Sequence, residues 1–108
     1  MNQSWIVLFL AGVCEVGWAI LLKQTEQFTR LWPSVMTLFF MFTSFGLLSY
    51  SFKEIPVGTA YAVWTGIGAL GTAVYGLMFL NEPSDFIRVF SLFLIIAGTI
   101  GLRVSSNV

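Results

Sequence analysis

An all-α membrane protein with four transmembrane helices per chain is the fold the sequence predicts, and three observations predict it. The 108-residue chain is 57% hydrophobic and only 9% charged, against about 25% charge in a soluble domain, so charge is too scarce to coat a water-facing surface. Its ten charged residues leave charge-free runs at 31–52, 55–81 and 89–102, and the stretch 1–22 is interrupted only by Glu15. Each run holds the roughly 20 apolar helical residues that cross a bilayer core about 30 Å thick. Membrane strands would alternate in polarity over segments of about 10 residues, whereas these runs are apolar on all sides.

The first helix is expected over 4–22. It lacks the basic leader region and small-residue cleavage site of a signal peptide and carries an acid, so it is expected to stay in the mature protein. The second is expected over 33–50, opened by Pro33; the third over 57–80, preceded by Pro56; the fourth over 86–104, preceded by Pro83, Ser84 and Asp85. Proline suits a helix start because its missing N–H is not needed there. These bounds leave about 10 residues in the first connection and about 6 in the others. A single transmembrane domain over 1–108 is therefore expected, multi-pass in the cell membrane, with any chemistry inside the bilayer.

Composition also excludes function classes. Five basic and five acidic residues balance, which leaves no electrostatic footprint for nucleic acid. Without histidine and with one cysteine, histidine triads, zinc clusters and an intrachain disulfide are ruled out. No nucleophile–base pair, metal ligand set or cofactor loop is present, so neither an enzyme nor a bound metal or cofactor is expected. Cys14 reads as a small buried apolar side chain, and Arg88 and Arg103, near span ends, can snorkel to the interface.

Four spans put both termini and the second connection on one side with Lys53 and Arg103, and the other connections on the opposite side with Lys23, Arg30 and Arg88. Two basic residues against three give the positive-inside rule almost nothing to act on, so insertion in both orientations is expected. A carrier that alternates access usually has halves related by inverted symmetry. Two oppositely inserted copies supply it, which makes an antiparallel, dual-topology homodimer the economical expectation, with two Glu15 carboxyls across one cavity.

Glu15 lies past the middle of its span, where an ionised carboxylate costs about 2.5–3.5 kcal/mol on insertion scales. One reading is a carboxyl that holds a bundle together by hydrogen bonding; the functional reading is a site shared by protons and a cation. Its helical neighbours are Gly12, Ala11, Trp18 and Ala19, three small residues that permit close approach and one aromatic wall. Trp5 and Trp32 lie near span ends, where interfacial tryptophan needs no function. Tyr61 and Trp64 share a helix face, either flanking the acid and its cation or simply packing. On physical grounds Ser44 is the weakest candidate, since a mid-span serine more often bonds its own i−4 carbonyl.

The third helix holds half of the ten glycines. Gly66 and Gly68 lower helix propensity within one turn and mark an expected kink, while Gly68, Thr72 and Gly76 form a small-residue stripe suited to close packing. Ala97, Gly98 and Gly101 form a second stripe on the fourth helix, read as a dimerisation element.

At these residues the sequence resembles the small multidrug resistance family of four-helix proton-coupled exporters. The matching stretches are AGVCEVGWAILLK, FTRLWPSV, PVGTAYAVWTGIGALGTAVYG and IAGTIGLR, in the family's order and over essentially the whole chain. Trp18 three residues after the acid, with GTAYAVWTGIGALG, resembles the guanidinium-exporter subtype rather than the quaternary-ammonium subtype. The resemblance implies an antiparallel dimer exchanging guanidinium for protons by alternating access, with the central acid at Glu15. It also implies binding-pocket roles for Gly12, Trp18, Ser44, Tyr61 and Trp64 and a third helix kinked at Gly66 and Gly68. Arg103 departs from the lysine common in this subtype. Guanidinium chemistry fits, since the ion is flat, donates paired hydrogen bonds to a carboxylate and stacks on indole. Trp18 is expected to narrow the site and to orient the acid through its N–H. The alternatives are an exporter of quaternary ammonium drugs and a non-transporting membrane subunit.

Overall fold

Apolar runs of this length, without the alternating polarity of a barrel strand, satisfy their backbone in lipid through hydrogen bonds within each helix. The computed structural model, which describes residues 2–105, accordingly contains α1 (Asn2–Gln24), α2 (Leu31–Ser51), α3 (Val57–Phe79) and α4 (Phe86–Ser105). All four are long and apolar enough to cross a membrane, so the chain is an all-α, multi-pass membrane protein.

Boundaries fall within two residues of expectation, with one consequence for the first connection, which is six residues (25–30) rather than about 10. No breaker follows Leu22, so α1 runs on to Gln24, and Pro33 is tolerated two residues inside α2 because the first turn does not use its N–H. Thr25, fully buried, then organises the turn. Its hydroxyl donates to the Leu22 carbonyl (2.7 Å) and accepts from the Phe28 N–H (3.1 Å). Its carbonyl accepts from the Thr29 and Arg30 N–H groups. Glu26, Gln27 and Phe28 all take left-handed backbone (φ 49°, 65° and 64°), a conformation costly for side-chain-bearing residues that this buried threonine holds. After the C-terminal end of α3, Asn81 turns left-handed (φ 57°) and the Glu82 N–H folds back to the Gly76 carbonyl (3.2 Å).

In space α1 is the central helix. It packs against α2 on one side and α3 on the other, and α4 joins through α3. The buried apolar cluster, Leu8, Ala11, Leu48, Ile55, Ala60, Val63 and Trp64, therefore belongs to α1, α2, α3 and the connection between the last two. No residue of α4 is buried, and the Cα envelope is a slab of 43 × 35 × 17 Å. Cys14 is half-buried rather than buried.

Polar contacts tie the helix ends on the side of the second connection. Ser4 donates to Glu54 (2.5 Å), and that hydrogen bond holds the Glu54 carboxyl below the usual carboxylate range. The Arg103 guanidinium lies over the Trp5 ring, 4.8 Å from its centroid.

Candidate functional site

Small residues bring α1 and α3 together around Glu15. A methyl group at Gly12 would come within 2.5 Å of Ile67, and one at Gly71 within 2.5 Å of Val16. Between these two contacts, a methyl at Gly68 would overlap the Glu15 carboxyl itself. The glycine thus makes the recess that the acid occupies, on the seam between the two helices. There the Oε1 atom is shielded from solvent and has no hydrogen-bond partner among the described residues. A buried acceptor left unmatched costs about 1–3 kcal/mol, so the arrangement spends stability at this point.

One helical turn away, a chain of hydrogen bonds crosses three helices. Trp64 Nε1 donates to the Ser44 hydroxyl (2.9 Å), which donates in turn to the Ala11 carbonyl (2.7 Å). Ser44, fully buried, therefore bonds α1 and not its own i−4 carbonyl, contrary to the physical expectation for a mid-span serine. Close passage of α2 against Ala11 brings a foreign carbonyl into reach and overrides the local bond. The chain fixes the Trp64 indole one turn before Gly68 on α3, on the face that carries the Glu15 recess.

Aromatic rings extend this wall. Tyr61 and Trp64 lie 5.5 Å apart between centroids, Trp64 and Phe45 6.0 Å, and Phe45 and Trp18 6.4 Å, the last two edge to face. Phe45 links the two tryptophans, and sequence reasoning misses it. As one of 11 phenylalanines its only signal is its position beside Ser44. Trp18 Nε1 has no hydrogen-bond partner among the described residues, so the expected orienting bond to the acid is not made; the indole is turned into its edge contact with Phe45. Tyr61 is more than half exposed, and no bond joins its hydroxyl to Glu15 Oε1, because the acid turns toward Gly68. The tyrosine also borders a groove of about 620 Å³ between α3 and α4.

Among the remaining candidates, Gly66 admits Thr99 of α4, whose hydroxyl oxygen would lie 2.6 Å from a methyl placed there. Helix α3 is continuous through Gly66 and Gly68. Ala97, Gly98 and Gly101 are exposed on α4, and a methyl at either glycine would meet nothing within 4 Å. Among the described residues no group of three or more Cys, Asp or Glu side chains could hold a metal.

What the arrangement can do chemically is bind a proton or a small cation at one carboxylate, beside an indole fixed in orientation and inside an apolar surround. The family model described as Small Multidrug Resistance protein matches residues 3–95. A guanidinium exporter of Proteus vulgaris is 52% identical over 104 residues, covering 96% of this chain and all of that protein. Guanidinium exporters of Citrobacter freundii and Salmonella typhimurium are each 54% identical over 105 residues, covering 97% of this chain and all of theirs.

Proposed function

The chain belongs to the small multidrug resistance family, and from that premise we propose that it exports guanidinium, and small substituted guanidinium ions, in exchange for protons. The observation that carries the reading is the Glu15 carboxyl, half-buried on a membrane-spanning helix, with one shielded, unpartnered oxygen in a recess made by Gly68. A carboxylate so placed is stabilised by either a proton or a cation, and the two exclude each other. Guanidinium offers paired donors to the carboxylate and a flat face to an indole. The Trp64 indole, held by Ser44, and Trp18 supply such faces; Tyr61 and Gly12 complete the pocket.

Alternating access requires a second copy. Two chains inserted in opposite directions give the inverted symmetry that carriers use, bring two Glu15 carboxyls to one cavity, and cover the exposed Ala97, Gly98 and Gly101 stripe of α4. Gly66 and Gly68 are where α3 flexes as the dimer, each chain a single domain over 1–108, switches between its two openings. Coupling follows from two conditions: protons and guanidinium compete at Glu15, and an empty site does not switch. Two basic residues against three across the membrane let the chain insert both ways. Reporter fusions at the C-terminus are expected on both sides, and two or three lysines added to one side are expected to lock it. A single orientation in the unmodified protein would contradict the dual topology.

Transport itself is tested in proteoliposomes by comparing currents evoked by guanidinium and by a tetraalkylammonium ion. A larger guanidinium response is expected. A larger tetraalkylammonium response would make the chain a quaternary ammonium exporter, and no substrate-dependent current from the purified chain would make it a non-transporting subunit.

A further inference from the structure

Below the Glu15 recess the α1–α3 seam does not close. One helical turn from Glu15 on α1 stands Ala19, and one turn from Gly68 on α3 stands Thr72; both line a cavity of about 110 Å³ that continues to Lys23, Tyr75 and Glu82. That volume is well above the roughly 10–15 Å³ that one ordered water requires. Its mouth lies where the first and third connections meet the membrane surface, on the side opposite the chain termini. Its inner end is one turn from the acid.

The groups along it suit a cation. Thr72 Oγ1 is shielded from solvent and has no hydrogen-bond partner among the described residues, so a hydroxyl that could have bonded its own helix stands uncommitted in the seam. The Glu82 carboxyl is folded over Gly76, where a methyl would overlap it. Its only ion pair among the described residues is a loose one, 3.8 Å to Arg88. The Tyr75 ring is braced against Phe79, with centroids 5.0 Å apart. Lys23 lines the same mouth.

We propose that Thr72, Tyr75 and Glu82 form a second, outer station for the guanidinium ion, one helical turn from Glu15 on the route between the acid and the membrane surface. Glu82 attracts the ion at the mouth, the Tyr75 ring offers it a face, and the Thr72 hydroxyl accepts one of its N–H groups as it leaves the carboxylate of Glu82 for that of Glu15. The proposal rests on the guanidinium reading above and adds a place where selection begins before the central acid is reached. In an antiparallel dimer each membrane face carries one such station.

Guanidinium-evoked currents in proteoliposomes test it. Thr72→Val keeps the side-chain shape and removes only an unpartnered hydroxyl, so it folds, and Glu82→Gln alters an exposed loop residue. Each is expected to raise the KM for guanidinium roughly tenfold, the worth of one hydrogen bond to a charged group, with the saturating current within about twofold of the unmodified protein. Arg88→Gln frees Glu82 from its ion pair and is expected to leave the KM unchanged or lower it. An unchanged KM in Thr72→Val, or a rise in Arg88→Gln matching that in Glu82→Gln, overturns the station while guanidinium transport by the unmodified chain still stands. Absence of guanidinium current from the unmodified chain overturns the transport reading and the station with it.

Discussion

Glu15→Gln is expected to abolish proton-driven guanidinium exchange, lowering the substrate-dependent current of the reconstituted protein by about a hundredfold or more. A glutamine amide can neither take up a proton at physiological pH nor neutralise a cation, so both halves of the exchange lose their site together. The size follows from losing a charge-assisted, two-bond contact in a desolvated recess, at about 1.4 kcal/mol per tenfold. Misfolding would not account for the loss. The acid costs about 2.5–3.5 kcal/mol on insertion, and its amide is the easier residue to place in a bilayer. Strong substrate-dependent proton flux in Glu15→Gln would defeat the assignment.

Gly68→Ala is expected to cut guanidinium transport roughly tenfold to a hundredfold while leaving the amount of folded protein unchanged. The added methyl would overlap the Glu15 carboxyl, so the side chain must leave its recess. Overpacking costs about 1–3 kcal/mol, but alanine regains about 1 kcal/mol of helix propensity over glycine. The two nearly offset, and the fold survives while the acid is displaced. Size-exclusion profiles and currents measured on the same preparation separate the two effects. A folded Gly68→Ala protein with undiminished transport would show that the recess does not position the acid.

These two residues also mark the boundary of what is legible in the sequence. Glu15 stands out by itself, because one ionisable group in an apolar span is expensive wherever its neighbours lie. The helix order is equally plain, since ten charges and three prolines punctuate a chain with little else to interrupt it. The recess is not legible: Gly68 reads as part of a kink and of a packing stripe, and only the crossing of α1 over α3 shows that its missing side chain is the space the acid fills. The hydrogen-bond partner of Ser44 is hidden for the same reason. The serine's bond to Ala11 depends on how closely α2 passes α1, which no local pattern encodes. The left-handed turn at Glu26, Gln27 and Phe28 is hidden because it contains no glycine; a buried threonine holds it instead. Phe45 is lost among many apolar residues, and Thr72 passes for one small residue in a stripe.

The pairing of proton and guanidinium at one carboxylate is the central claim, and the dependence of guanidinium KM on pH measures it directly. Currents from the unmodified protein in proteoliposomes, titrated with guanidinium at successively lower pH, are predicted to show a rising KM and an unchanged saturating guanidinium occupancy, with each substrate movement accompanied by opposite proton flux. A KM that stays constant as protons become abundant, or guanidinium movement without proton countermovement, would contradict competition at Glu15.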